Sequence, residues 1–558
     1  MASSNDSQSP TLAEEHEHEQ DAEILERHDI HRTMSRTISH VPNDPYLAYR
    51  TLSRDANIKE YQEETATGEI VKPAISNSGE KVQYKLVTFT IDDPENPKNW
   101  SKAFKWWCTA VIAVMCFIVA FCSSVITAGI GQVEAEFGVS RSVALLSITL
   151  FVIGFGVGPM AFAPLSEVLG RKIIYVTTLG VSIVFIIPCA VAPNIQTLLV
   201  CRAIAGIAMS APMTLVGGSL ADLWKNEERG VPMAVFSAAP FIGPAIGPLV
   251  GGFLSMSHGW RWLYWIQLIL GGAIYLTLAL TVPETYAPKI LTERAKRLRK
   301  ETGDDTHVTE EEIGRRPFLE TITIFVARPF QLLFGELIVF LISVYMSVLY
   351  GLLYMFFVAY PIVYKEGKGW DAGKTGLMFI PIAVGVIISA ACSPFINAHY
   401  LKIHAKFNGN PPPEMRLIPM MWSCWFIPIG LFIFAWCSFP HVHWAGSMMG
   451  GFPVGFGFIF LYNSANNYLV DTYQSQAASA LAAKTFLRSF WGAVTVLFTT
   501  QMYHKMGYQW ASTFLAFLAL ACCAIPFLFY FFGARIRGHS RFAANGPPSP
   551  ADIENSAH

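Results

Sequence analysis

The sequence predicts an all-α polytopic membrane protein of twelve transmembrane helices, divided six and six. Three observations lead there. Hydrophobic residues make up 52% of the 558 and charged residues only 15%, far from the balance of a water-soluble domain. The apolar residues gather into runs of about 20, the length that crosses about 30 Å of hydrocarbon. One long polar connection, 283–330, separates the first six runs from the last six.

The runs lie at 105–127, 143–165, 173–192, 198–220, 231–254, 262–282, 333–357, 372–396, 417–438, 443–464, 477–502 and 509–533. The expected organisation is a disordered tail over 1–100, six spans over 101–282, a loop over 283–330, six spans over 331–535 and a short tail over 536–558. The first tail is rich in Ser, Thr, Glu and Gln and poor in aromatics, so it has little to bury. Its stretch HRTMSRTISH (31–40) offers hydroxyls beside arginines, a possible phosphorylation segment or simply an idle tail. With no apolar core in the first hundred residues, span 1 is expected to serve as the insertion signal. Trp100, Trp106 and Trp107 mark a membrane interface.

Basic residues fall mainly in the connections that an even number of spans puts on one side. Arg171, Lys225, Arg294, Lys402 and Arg535 are examples. The positive-inside rule assigns that side, with both chain ends, to the cytoplasm.

Between spans 2 and 3 lies PLSEVLGRK. Glu167 and Arg171 are four apart and would pair on a continuing helix, while Gly170 permits a tight reversal. Lys172 adds a charge, and Asp222 at the end of span 4 is a second partner for Arg171. Such a cluster serves either as a conformational latch or as a solvated loop. Span 4 carries Arg202 in CRAIAGIAM, where a guanidinium marks function or snorkels to the nearby interface.

Span 5 contains SAAPFIGPAIGPLVGGF. Gly243, Gly247 and Gly251 repeat every four residues and form one helical stripe; Pro240, Pro244 and Pro248 form another, and Gly252 follows. In water each interior proline would cost roughly 3 kcal/mol. In lipid the unpaired backbone of an unfolded segment costs more, so the helix holds. Its smooth face suits close backbone packing, and its prolines favour a bend near Pro240 and Pro244. Gly and Pro are common in membrane helices anyway, but three of each at one spacing exceed that background.

In the second half, Glu336 near the start of span 7 is the clear acidic residue within a span. Span 7 also supplies Tyr345, Tyr350 and Tyr354, and span 10 supplies Asn463, Asn466 and Asn467. Span 11 places Lys484 and Arg488 four apart on one face in AAKTFLRSF. Each costs roughly 2.5–3.5 kcal/mol at mid-bilayer, which argues for a water-lined cavity or interhelical pairing. The halves echo one another: Asp222 in SLADLW and Asp471 in YLVDTY end spans 4 and 10. All ten cysteines lie in apolar runs and read as reduced core residues. No nucleophile–base pair, cofactor motif or metal-ligand spacing is present, so the sequence predicts no enzyme, cofactor or metal; His441 and His443 read as solvated.

The ordered motifs PENPKNW, PLSEVLGRK, CRAIAG, GPAIGPLVGG, WRWLYWI, VPETYAPKIL and SALAAKTFLRS cover about 90–540. In them the chain resembles the fungal twelve-span drug:proton antiporter branch of the major facilitator superfamily. The resemblance implies two six-helix bundles moving by alternating access. It implies that Gly243, Pro244, Gly247, Pro248, Gly251 and Gly252 form the antiporter motif at the bundle interface. It implies that Glu167, Gly170, Arg171 and Lys172, with Asp222, gate the cytoplasmic side, and that Arg202 takes part in proton coupling. Three positions depart from the pattern: Ala163 and Glu167 stand where the wider superfamily often has Gly and Asp, and Lys484 where Asn is expected.

The expected function is proton-coupled export of a small organic molecule. The Lys484–Arg488 pair leans it towards an anionic metabolite such as an organic acid or secondary metabolite. A polyamine or cationic multidrug exporter is the alternative within transport, and a non-transporting solute sensor the alternative outside it. Candidates for the substrate or proton pathway are Arg202, Glu336, Tyr350, Asn463, Asn467, Lys484 and Arg488. The expected partners are the small molecule, protons and the lipid bilayer, with no nucleic acid. The chain is expected to act as a monomer in the plasma membrane, with the vacuolar membrane as the alternative.

Overall fold

Apolar chain in hydrocarbon has to close its backbone hydrogen bonds internally, and each of the twelve runs does so as a helix. The computed structural model describes residues 71–75, 81–90, 92–225, 228, 230–309, 312, 318–407, 411–540 and 542–543. The spans are Lys102–Phe137, Arg141–Leu169, Arg171–Ala190, Ile195–Leu223, Val231–His258, Trp262–Thr281, Leu337–Glu366, Ala372–Ile403, Pro413–Cys437, Trp444–Tyr473, Ala477–Met506 and Tyr508–Gly538, numbered 1 to 12. Several run beyond the apolar limits. Span 1 continues through a 3₁₀ stretch, Val125–Gly129, into a further helix ending at Phe137.

The six-and-six division has a matching pattern of enclosure. Spans 1 and 7 are the most enclosed, with 83% and 78% of their central windows buried, and spans 6, 8 and 12 are the least, at 33% each. The first span of each half is therefore innermost and the last is lipid-facing. Leu280 and Phe334 stand exposed, and Trp106, Trp107, Trp425, Trp436 and Trp510 supply amphipathic rings on the periphery. Within each half, glycines allow helices to touch backbone to backbone. A Cβ on Gly154 of span 2 would lie 2.4 Å from the Ile207 nitrogen of span 4. In the corresponding place, one on Gly455 of span 10 would lie 2.2 Å from the Ile382 carbonyl of span 8. Without a hydrophobic drive between helices in lipid, such close contact is what holds them together.

The connections hold more structure than expected. Strands β1 (Val71–Ile75) and β2 (Lys81–Leu86) pair antiparallel, and β2 pairs parallel with β3 (His307–Val308) in the central connection. That connection also carries helices Ala287–Thr302 and Phe318–Gly335, so the expected disorder over 1–100 and plain loop over 283–330 are corrected in these parts. The physical reason is mutual pairing. Arg294 grips Asp93 with both terminal nitrogens, at 2.6 and 2.9 Å, and its Nε donates to Glu95 at 3.0 Å. Arg297 adds a second donor to Glu95 at 2.9 Å. Residues 1–70, including the hydroxyl-rich stretch 31–40, lie outside the described residues, as do 544–558 of the second tail.

This clamp has a predictable acid limit. Burial pushes the Asp93 carboxyl up, but the Arg294 hydrogen bonds and charge outweigh it and hold the group below its ordinary 3.8. A depressed folded value means that ionised Asp93 stabilises the docked arm fully above 3.8, and that this is lost as pH falls through the lower folded value. Hydrogen exchange over 85–99, corrected for its intrinsic pH dependence, should stay constant through neutral pH and accelerate only in acid. Arg294→Ala should release the arm at neutral pH, at a cost of about 2 kcal/mol for the lost charged hydrogen bonds.

Candidate functional site

The central-connection face carries 283–330 and the chain end after span 12; the other is termed the opposite face. An arginine–aspartate ion pair sits on the central-connection face of each half. In the first, span 2 ends at Leu169 and Gly170 turns with φ +96, a conformation that suits glycine. Arg171 then points back into the half. Its Nε lies 3.5 Å from Asp222, its Nη1 donates to Ser166 at 2.5 Å, and its guanidinium stacks 4.9 Å from the Tyr286 ring. Glu167 makes no ion pair or hydrogen bond among the described residues, which corrects the expected Glu167–Arg171 pair: the helix stops before Arg171 can reach it.

The carboxylate that organises the turn is Glu284, which the sequence reading did not single out. It accepts from the Arg171 nitrogen at 2.9 Å and the Lys172 nitrogen at 3.1 Å, capping the start of span 3. In the second half Arg416 donates to Asp471 at 2.8 Å, 55 residues apart against 51 for Arg171 and Asp222. Nearby, Glu414 and Arg537 form a buried pair with bonds of 3.1 and 3.2 Å.

The span 5 motif divides its contacts between two partners. Gly243, Gly247 and Gly251 pack on span 1 of the same half: their Cβ atoms would meet Phe117 O at 2.6 Å, Ser124 Oγ at 2.0 Å and Val125 O at 2.5 Å. Pro248 and Gly252, turned round the helix, meet the second half. A Cβ on Gly252 would lie 2.4 Å from the Ala372 carbonyl, and one on Gly376 would lie 2.5 Å from the Pro248 carbonyl. The expectation that the whole motif lines the bundle interface is therefore corrected for Gly243, Gly247 and Gly251, whose stripe turns to span 1, because residues one apart on a helix face about 100° away from each other. The helix Gly230–His258 runs unbroken through Pro240, Pro244 and Pro248.

Lys484 and Arg488 lie where the halves meet, and both are buried. Lys484 Nζ donates to Asn466 Oδ1 and sits 4.7 Å from the Tyr462 ring. Arg488 lies 4.7 Å from the Tyr350 ring and 5.4 Å from Tyr462, and its Nε is buried without a hydrogen-bond partner. Tyr350 and Tyr354 hydroxyls are 3.4 Å apart, and Tyr354 donates across to Ser123 of the first half at 3.2 Å. Phe241 of span 5 closes another side, 5.2 Å from Tyr462. A lysine and an arginine thus stand among aromatic rings, and among the described residues no carboxylate pairs with either.

The other expected pathway residues stand elsewhere. Asn463 and Asn467 have no hydrogen bond among the described residues, and Asn467 is exposed; Asn466 is the one that the helix turns onto Lys484. Glu336 caps the start of span 7 on the central-connection face, accepting from Tyr473 at 3.0 Å and from Ser540 at 2.5 Å, beside a cleft of about 480 Å³. Arg202 is fully buried within the first half. It donates to Ser147 O at 3.1 Å, to Cys122 O at 3.2 Å through both terminal nitrogens, and to Gln267 at 3.4 Å, with the Phe151 ring 4.0 Å away.

A family model described as Major Facilitator Superfamily matches residues 112–496. The chain is 65% identical over 505 residues to the MFS-type transporter paaT of Penicillium rubens, covering 90% of this chain and 92% of that one. It is 43% identical to the major facilitator superfamily multidrug transporter mdrA of Aspergillus fumigatus, covering 86% and 79%. Among solved structures it matches a partially occluded inward-open form of the Escherichia coli xylose transporter XylE. There the TM-score is 0.56 and the identity 15%, covering 77% of this chain and 98% of that one.

Proposed function

The chain belongs to the major facilitator superfamily, and from that premise we propose that it exports a small organic anion in exchange for protons. The observation that carries this reading is the buried Lys484–Arg488 pair at the junction of the halves, with Asn466 and tyrosines as its neighbours and no acid paired to it. A buried site carrying two basic side chains favours a carboxylate or comparable anion, because the ligand's charge offsets a desolvation cost that the protein leaves uncompensated.

The cycle would rock the two halves about this site. The backbone contact at Gly252 and Gly376 supports a seal on the opposite face, and the Arg171–Asp222 and Arg416–Asp471 latches keep each half rigid as it moves. The basic central connection supports placing that face, and both chain ends, in the cytoplasm, with the plasma membrane as the proposed site. The second reading is export of a polyamine or cationic drug; the name of mdrA, a multidrug transporter, supports multidrug export in general.

Purified protein in liposomes with a trapped pH-sensitive dye separates the two. Under an imposed proton gradient, di- and tricarboxylates should evoke proton flux. Flux evoked by spermidine or cationic drugs alone would replace the anion reading with the second. Solute movement without proton flux would remove the antiport assignment.

A further inference from the structure

On the opposite face, one ion pair crosses between the halves. Arg141 Nη1, at the start of span 2, donates to Glu366 Oε1 at 2.6 Å, at the end of span 7. The second carboxylate oxygen, Glu366 Oε2, faces His504 Nε2 at the end of span 11, 2.9 Å away. Beside it Gln501 donates to Ser142 at 3.3 Å, again between the halves.

The surroundings of Glu366 are specific. Glu134, from the end of span 1, has its Oε1 4.0 Å from Arg141 Nε, and both of those atoms are buried without a hydrogen bond. Arg141 is thus held loosely by the acid of its own half and tightly by the acid of the other. Lys365 is the neighbour of Glu366 on span 7 and reaches towards Gly131, while the Tyr508 ring of span 12 lies against Gly367. The side chains are 31% (Arg141), 33% (Glu366) and 49% (His504) exposed, so the network is open to water on that face.

We propose that Glu366 is the proton-operated catch of the opposite face. Ionised, it bonds Arg141 and pins the halves together; protonated, it gives up the charge that holds Arg141 and lets this face open. His504 acts in the opposite sense, since a protonated imidazole holds ionised Glu366 more firmly, so the release belongs to the carboxyl. The inference rests on the transport reading only in taking the halves to rock, and it supplies a route by which protons on that face promote opening.

The test uses the full chain in nanodiscs, spin-labelled at Ala135→Cys and His441→Cys, which are exposed positions on the opposite face of the two halves. Electron–electron distances are read from neutral pH down to about pH 3.5, below the ordinary Glu value of about 4.3. The otherwise unaltered chain should gain a longer-distance population in acid. Glu366→Gln should show that population already at neutral pH, about fivefold above the parent, and should respond no further to acid. Arg141→Gln should give the same neutral-pH opening and covers the case in which Glu366→Gln fails to fold. His504→Gln should keep the acid response. An acid response unchanged in Glu366→Gln, or abolished in His504→Gln alone, would overturn the assignment. No solute is needed for this readout, so a protein that opens with acid yet moves nothing sinks the transport reading and leaves the catch standing.

Discussion

Arg488→Gln should cut export of an anionic substrate by about 10- to 100-fold, with the protein still folded and inserted. Glutamine keeps much of the volume and a hydrogen-bonding end but removes the charge, and a charged hydrogen bond in a site shielded from water is worth about 1.5–3 kcal/mol. The guanidinium is suited to the role because its Nε is unpartnered and its faces lie against Tyr350 and Tyr462, so it is oriented and still has a donor to give. Lys484→Asn should do less, since Lys484 already spends a donor on Asn466. The loss should appear as a higher half-saturating concentration for the anion together with a lower maximal rate. A purely structural Arg488 would instead lower the thermal midpoint of the purified protein and leave substrate dependence unchanged. That pattern, with transport per folded molecule intact, would show that no anion binds there.

Twelve spans were legible because hydropathy is a local property: each run decides its own fate in lipid whatever its neighbours do. The repeat was legible too. Asp222 and Asp471 occupy matching positions, and the structure gives each an arginine, Arg171 and Arg416. What the sequence left open were choices of rotation and of distant partner. Asn466 and Asn467 differ by about 100° around span 10, and only packing tells which of them meets Lys484. The same ambiguity divided the span 5 motif, whose glycine stripe turned to span 1 while Gly252 turned to span 8. Glu284 carried a signal that was not used: a carboxylate directly after a span, in VPETYAPKIL, is placed to cap exposed backbone donors. Arg141 and Glu366 are 225 residues apart, and no local pattern links them. The clamp on Asp93 likewise needed the central-connection helix to bring Arg294 back to the start of the chain.

Arg202→Leu should prevent recovery of a folded protein, or lower its thermal midpoint more than any other single change in the first half. The reason lies in a break in span 1. Where the helix tightens into the 3₁₀ stretch Val125–Gly129, the Cys122 carbonyl becomes available, and two of the Arg202 nitrogens donate to it. The same side chain reaches Ser147 O of span 2 and Gln267 of span 6, so one guanidinium on span 4 ties together three further helices. Every acceptor is neutral, and the charge is shared over a planar fork lying on the Phe151 ring. Leucine would leave three acceptors facing each other, at about 1–3 kcal/mol for each group left unsatisfied. Lysine restores a charge but not the fork, so Arg202→Lys should fold with an intermediate thermal midpoint. A leucine variant with an unshifted midpoint would refute the bracing role and return Arg202 to a purely functional one. A lysine variant of normal stability that still moves solute but no longer couples it to protons would show that the same residue serves proton exchange. On the geometry, bracing comes first: this one side chain on span 4 ties spans 1, 2 and 6 into a single body.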